Sequence, residues 1–290
     1  PREGNCHLDV MCYPDYQPLH NATVRLDWVE GSYQVKCSGT QLATLAHDET
    51  PYLLTANHCH DSGAYLNSLV TTWLYQSNEC DGYVPPFYTR PKSNRATFLV
   101  TRSESYGDQT LLMITGVVPD EAEWAEWDTD EVANGTSIAG IHHPTGAHKR
   151  ISFGGRTTQT FGNPAYFHGV IWQAGGGTIE PGSSGSGLYR QDSKLLVGVA
   201  SSVAEGTDCD NHPWGPCSYG KFDRFYPFID TLLEIGGDDD FEENDSCAAA
   251  VDVPNGNYSD TVVKRLDDDW YHFFLPTGSG VTVNLTFTDA

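Results

Sequence analysis

Thr55-Ala56-Asn57-His58-Cys59, then Gly107-Asp108-Gln109-Thr110-Leu111-Leu112, then Pro181-Gly182-Ser183-Ser184-Gly185-Ser186-Gly187 are the three strings on which the reading of this 290-residue chain turns. In that order they supply an imidazole, a carboxylate ahead of an apolar run, and a serine between glycines. A serine hydroxyl is a weak nucleophile at neutral pH. It needs an imidazole to take its proton, and that imidazole needs a buried carboxylate to hold its tautomer and balance its charge. His58, Asp108 and Ser184 are the candidates for these roles. A glycine ahead of the serine lets the backbone turn sharply, so that the N–H groups of Gly182 and Ser184 can converge on a developing oxyanion.

Each string alone is weak, since a Gly-Ser-Ser-Gly-Ser-Gly stretch is usually a flexible loop. The cysteines strengthen the set. Cys59 directly follows His58, and Cys37 lies in Cys37-Ser38-Gly39-Thr40, so a bridge between them would staple the histidine loop to a preceding strand. Frequent Gly, Pro and Tyr favour many short strands over long helices, which predicts an all-β chain. Strands are expected around Tyr33–Cys37, Leu69–Tyr75, Gly169–Gln173 and Lys194–Ala200. One helix is expected from Arg224 to Leu233, with Phe225, Phe228, Ile229 and Leu232 on one face.

The chain resembles the bacterial lysyl endopeptidase family, a branch of the chymotrypsin-like serine proteases. The resemblance is carried by Cys6-His7-Leu8-Asp9-Val10 with Cys12, by Tyr52 through Cys59, and by Asp108-Gln109-Thr110-Leu111-Leu112. Ile141-His142-His143-Pro144 with Lys149-Arg150-Ile151-Ser152, and Glu180 through Ser186, complete it. It implies two six-stranded antiparallel β-barrels with the cleft between them, His58 and Asp108 coming from the first and Ser184 from the second. It also implies disulfides Cys6–Cys209, Cys12–Cys80 and Cys37–Cys59. Cys217 and Cys247 are then left to pair; the alternative is Cys209–Cys217 with Cys6–Cys247. Eight cysteines without a Cys-x-x-Cys pair suit an oxidising, extracellular compartment.

Specificity departs from the family pattern. The family carries an aspartate ahead of a Tyr-Gly strand to meet a substrate lysine, and here Cys217 precedes Ser218-Tyr219-Gly220. A thiol or half-cystine cannot balance a buried ammonium. Thr178, Ile179, Ser201, Ser202, Val203 and Cys217 are the expected pocket residues, small and uncharged, while Asp208 and Asp210 beside Cys209 keep a basic preference open. Phe161 stands for the aromatic ring that tunes the family's catalytic imidazole, and Ser201 falls where a second histidine is expected. Ser183 stands where many trypsin relatives carry an aspartate for a new N-terminal amine, so that switch is expected to be absent. His60, His142, His143, His148 and His168 read as structural or surface residues, and their spacing lacks the His-Glu-x-x-His pattern of a helix-borne metal site.

A composition break at Gly236-Gly237 divides an expected protease domain, 1–236, from an acidic segment, 237–290. From Asp238 onward, twelve acidic against two basic residues leave ten of the 23 net negative charges there. Strands are expected at Trp270–Leu275 and Val281–Phe287. The segment resembles the bacterial pre-peptidase C-terminal domain, a small β-sandwich, of which only part is expected to be present. Its Asp clusters at 238–245 and 267–269 could chelate Ca²⁺, whereas catalysis is expected to need no cofactor. The chain opens at Pro1 without a leader or basic transit segment and holds no apolar run long enough to span a bilayer, so a mature, secreted product is expected. Net charge −23 argues against nucleic acid, whose phosphates demand Lys and Arg. A monomer acting on peptide or protein substrates is expected. The competing readings are a protease-like binding protein that has lost catalysis, and an adhesion role carried by the tail alone.

Overall fold

The computed structural model describes residues 4–209, 215–234, 251–252, 271–272 and 282. Fourteen strands make up its first compact unit, Pro1–Ala43 with Glu49–Asp230. They are β1 (Leu8–Asp9), β2 (Thr23–Glu30), β3 (Tyr33–Leu42), β4 (Tyr52–Thr55), β5 (Val70–Thr72), β6 (Lys92–Asn94) and β7 (Ala96–Arg102), followed by β8 (Gln109–Ile114), β9 (Ser137–His142), β10 (Arg150–Thr157), β11 (Phe167–Trp172), β12 (Gly187–Arg190), β13 (Leu196–Val203) and β14 (Cys217–Lys221). One sheet runs β6-β5-β2-β3-β4-β8-β7 and curls into a half-barrel. The other runs β1-β10-β11-β14-β13-β12-β9, and its additional β9–β10 pairing closes six strands into a barrel, with β1 added outside. The ladders within this unit are antiparallel. The chymotrypsin-like double barrel is thus present, with its first half seven-stranded and open.

Period-two alternation explains how β2 serves the core. Val24, Leu26 and Trp28 are buried on one face, while Arg25 and Asp27 on the other form a bidentate pair at 2.8 and 2.7 Å. The Arg25 guanidinium lies 4.1 Å from the Phe87 ring centroid and donates to the Gly146 carbonyl of the second half. In the closed barrel, Ile138, Val170, Trp172, Leu188, Val197 and Tyr219 share one apolar cluster.

Cys6–Cys209, Cys12–Cys80 and Cys37–Cys59 are bonded. The expected Cys217 bridge is corrected: Cys217 is a free thiol with no exposed surface, packed into that apolar cluster. Its proposed partner Cys247 lies outside the described residues, and Cys209 is already committed to Cys6, which removes the alternative pairing. The helix expected over 224–233 is also corrected. It divides into Phe222–Phe225, a 3₁₀ turn Tyr226–Phe228, and Asp230–Leu233, because Pro227 has no N–H for the helical ladder and clashes with the preceding turn. Phe222, Phe225, Ile229 and Leu233 are the buried residues, whereas Phe228 is exposed.

The second compact unit comprises Thr44–Asp48 and Thr231–Ala290. Its described strands, β15 (Val251–Asp252) and β16 (Tyr271–His272), pair in parallel. Gly236-Gly237, the acidic runs considered for Ca²⁺ and the strand expected at 281–287, save Thr282, lie outside the described residues. No described helix is long and apolar enough to cross a membrane.

Burial keeps several bases neutral. Desolvation lowers His20 to about 3, His60 to about 4 and His168 to about 3, and pulls the fully buried Lys149 down to about 7. Lys149 Nζ donates to Gln76 Oε1 at 2.9 Å and to the His20 carbonyl. The histidines bind fewer protons folded than unfolded between their folded values and the ordinary 6.5, so stability is fully present above 6.5 and lost on acidification. The thermal midpoint is predicted to fall already between pH 6.5 and about 5, above the range where ordinary carboxylates titrate. A midpoint flat over that interval would contradict the neutral, buried assignment.

Candidate active site

Register in the first sheet brings two of the three candidate side chains together. Strand β4 pairs with β8 so that Thr55 lies opposite Thr110; His58 follows the one and Asp108 precedes the other by a few residues. The Cys37–Cys59 disulfide ties the turn behind His58 to β3. Asp108 has no exposed surface and adopts φ +55 after Gly107 at φ +109, a left-handed step that Asp tolerates better than bulkier residues. Its Oδ1 accepts the His58 backbone N–H at 2.9 Å, and its Oδ2 lies 2.7 Å from His58 Nδ1. Ser201 donates its hydroxyl to the same Oδ2 at 2.6 Å.

These contacts set the charges. Desolvation pulls the His58 imidazole down, but the Asp108 hydrogen bond, the Asp108 charge and the nearby Glu104 charge outweigh it and hold it above its ordinary value. Desolvation pushes Asp108 up, and its bonds to His58 and Ser201 more than reverse that, so it stays ionised. Nδ1 is occupied by the carboxylate, which fixes the ring orientation and leaves Nε2 for a nucleophile.

Ser184 sits on a turn whose three peptide planes are each held through their carbonyls. Thr145 N–H donates to the Pro181 carbonyl at 2.6 Å, Ser38 Oγ donates to the Gly182 carbonyl at 2.9 Å, and Ser186 N–H donates to the Ser183 carbonyl at 3.1 Å. Trans peptides direct N–H opposite to C=O. The Gly182 and Ser184 N–H groups, which make no hydrogen bond to a described residue, therefore point away from these anchors. Gly182 requires its φ of +95. Gly185 is required by space, since a Cβ there would lie 2.2 Å from Thr55 Oγ1 and 2.3 Å from the Ser38 carbonyl.

A closed circuit joins this turn to the imidazole. Ser38 N–H donates to the Ser184 carbonyl at 2.8 Å, Gly185 N–H donates to the Ala200 carbonyl at 2.9 Å, and the next residue, Ser201, bonds Asp108. Among the described residues His58 makes no hydrogen bond to Ser184 Oγ; such bonds are often long without substrate and tighten in the Michaelis complex. Ser183 faces the other way and is fully buried, with His142 Nδ1 at 2.8 Å and the Glu180 N–H donating to its Oγ at 3.1 Å. His142, His143, His60 and His168 are buried structural residues, and His148 is half-buried.

The expected pocket residues separate into two groups. Ser201 and Ser202 line a cleft of about 410 Å³ together with His58, Glu104, Phe161 and Phe167. Ile179 and Cys217 instead belong to the apolar cluster, with Val203 packed against it. Burial pushes the Cys217 thiol up to about 12. Thr178 is buried, its carbonyl accepting the Ser152 hydroxyl at 3.0 Å. Asp208 is half-buried beside Cys209, and Asp210 lies outside the described residues. Sequence reasoning missed Ser38, Thr145 and Glu104. Only Ser38 carried a signal, its place in the Cys37-Ser38-Gly39-Thr40 string.

Fold and site together define the chymotrypsin-like class of serine proteases. Within that class the chain belongs to a particular family: the model of the lysyl endopeptidase C-terminal domain matches residues 2–211. It is 26% identical over 196 residues to a lysyl endopeptidase of Pseudomonas aeruginosa, an alignment that covers 64% of this chain and 42% of that protein. The chain therefore spans less than half of that relative. Among solved structures it is similar to a scabies mite inactivated protease paralogue, with TM-score 0.55, 16% identity, and coverage of 80% of this chain and 99% of that one. It is also similar to a thermostable serine protease from an extremophilic microorganism, with TM-score 0.53, 12% identity, and coverage of 75% and 99%. A serine endoprotease from Yersinia pestis gives 0.52, 15%, 75% and 65%. At these identities the structural likeness establishes the fold alone.

Ser38 holds the turn by its hydroxyl, which donates to Gly182 and accepts the His143 N–H at 3.0 Å. Ser38→Ala is predicted to lower kcat about ten- to a hundredfold with KM little changed, by freeing the plane between the two candidate oxyanion donors. Ser38→Thr should recover much of the loss. Steady-state peptide hydrolysis measures both, and an unaltered kcat in the alanine variant would remove Ser38 from this role.

Proposed function

We propose that the chain is a secreted serine endopeptidase in which Ser184 attacks the peptide carbonyl and His58 Nε2 takes the hydroxyl proton. Asp108 orients the imidazole and balances the imidazolium. The N–H groups of Gly182 and Ser184 receive the oxyanion as the carbonyl carbon becomes tetrahedral. Collapse of that intermediate breaks the C–N bond, and the proton held by His58 passes to the leaving amine. Water, deprotonated by His58, then attacks the ester carbonyl and releases Ser184 and the new carboxylic acid. Three disulfides support an oxidising, extracellular setting.

The single observation that carries this reading is the carboxylate–imidazole pair at 2.7 Å, joined by continuous contacts to a turn whose two N–H groups have no partner among the described residues. The fold by itself leaves open a protein without catalysis, as its likeness to an inactivated protease paralogue illustrates; the retained site favours an active one. Preference for lysine is not part of the proposal. Cys217 stands in the sequence where the family carries an aspartate, and it is a buried neutral thiol among apolar side chains, so that position supplies no carboxylate for a substrate lysine.

A fluorophosphonate probe is predicted to label Ser184 and to fail on Ser184→Ala. That variant should lose roughly 10⁴-fold or more of the turnover, whereas Ser183→Ala should lose far less. Labelling at Ser183, or near-full activity of Ser184→Ala, would overturn the assignment. The acid limb of kcat/KM should fall at a pH above the ordinary histidine value of 6.5, because His58 must be neutral to act as base and its pKa is raised.

A further inference from the structure

The cleft beside His58 carries an acidic side chain whose charge helps keep the imidazole basic yet which forms no ion pair with it. Glu104 stands at its lining exposed, and its carboxylate has no ion pair or hydrogen bond to a described residue. Phe161, on the same lining, is 54% exposed although its backbone is fixed: its N–H donates to Ser218 Oγ at 2.7 Å, and Thr160 Oγ1 lies 2.8 Å from that same oxygen. The ring is thus held out into solvent. Phe167 forms a buried wall, and the lining contains neither lysine nor arginine. Of the remaining charged groups there, Asp108 is committed to His58 and Ser201, and His58 to catalysis.

The chemistry of this lining selects among side chains. An acidic side chain would meet the Glu104 charge with no cation to offset it. A purely apolar one would cover Phe161 but desolvate Glu104 without a partner. An arginine or lysine satisfies both, its methylene stem lying on aromatic surface and its cation facing Glu104, with arginine favoured because its planar head stacks on a ring. Successive side chains of an extended peptide point to opposite sides. When the residue supplying the attacked carbonyl turns its side chain away from this cleft, the residue before it projects over His58, which lines the cleft.

We propose that this cleft is a subsite for an arginine or lysine side chain immediately upstream of the residue at the cleaved bond, with Glu104 as counter-charge and Phe161 as stacking face. Cation recognition is thereby placed one residue upstream of the cleaved bond, while the position of the family's aspartate holds the buried, neutral Cys217. The inference rests on the endopeptidase reading and adds a substrate class to it.

The test uses the full chain and peptides identical except for arginine, norleucine or glutamate at that upstream position. Arginine should exceed norleucine by about tenfold in kcat/KM, chiefly through KM, as an exposed ion pair plus a cation–π contact provides. Glutamate should be poorest. In Glu104→Gln the arginine-to-norleucine ratio should fall to about twofold or less, and in Phe161→Ala both peptides should weaken while arginine still exceeds glutamate. Equal cleavage of the arginine and norleucine peptides, or an unchanged ratio in Glu104→Gln, would overturn the subsite. Failure to cleave any of the three would strike the endopeptidase reading itself.

Discussion

One residue's backbone and side chain connect the two halves of the molecule at the reacting centre. Ser38, adjacent to the Cys37–Cys59 bridge, donates its N–H to the Ser184 carbonyl and its hydroxyl to the Gly182 carbonyl, accepts the His143 N–H, and offers its own carbonyl to Thr55 Oγ1 at 2.9 Å. A nucleophile and its base that come from separate barrels can be aligned only if the seam between them is rigid. Four hydrogen bonds at one buried residue supply that rigidity in a low-dielectric setting, where an unmade bond is costly. Gly185 follows from the same seam, because the backbone approaches Thr55 and Ser38 too closely for any side chain.

Charge is handled by the same economy of contacts. Asp108 is fully buried, yet three donors reach its two oxygens, so the carboxylate remains ionised where desolvation would otherwise protonate it. The carboxylate in turn keeps the imidazole basic. Where trypsin relatives place an aspartate behind the nucleophile, the neutral pair Ser183 and His142 fills the space, and burial holds His142 well below its ordinary range. The turn is therefore held by hydrogen bonds among neutral groups.

Much of this was readable in the linear chain, for a physical reason. His58, Asp108 and Ser184 each stand in a local string whose neighbours, Cys59, the Gln109–Leu112 strand and the glycines, exist to place them. The Cys37–Cys59 staple and the period-two strands were legible for the same reason. Ser38, Thr145 and Glu104 were not, since their importance arises from residues more than thirty positions away that the fold delivers. Ile179 and Cys217 were expected on a pocket wall but help fill the barrel interior, a distinction that composition cannot make between two buried apolar positions. The helix over 224–233 was misread where Pro227 gave a sufficient warning.

The central claim is that His58 activates Ser184 across the seam, with Gly182 and Ser184 receiving the negative charge. A crystal structure of the chain treated with a peptide boronate tests it most directly. The account predicts a bond from boron to Ser184 Oγ, one boronate oxygen accepting both the Gly182 and Ser184 N–H groups, and His58 Nε2 within hydrogen-bond reach of the adduct. Boron on another residue, or an adduct whose oxygen turns away from those two N–H groups, would contradict it.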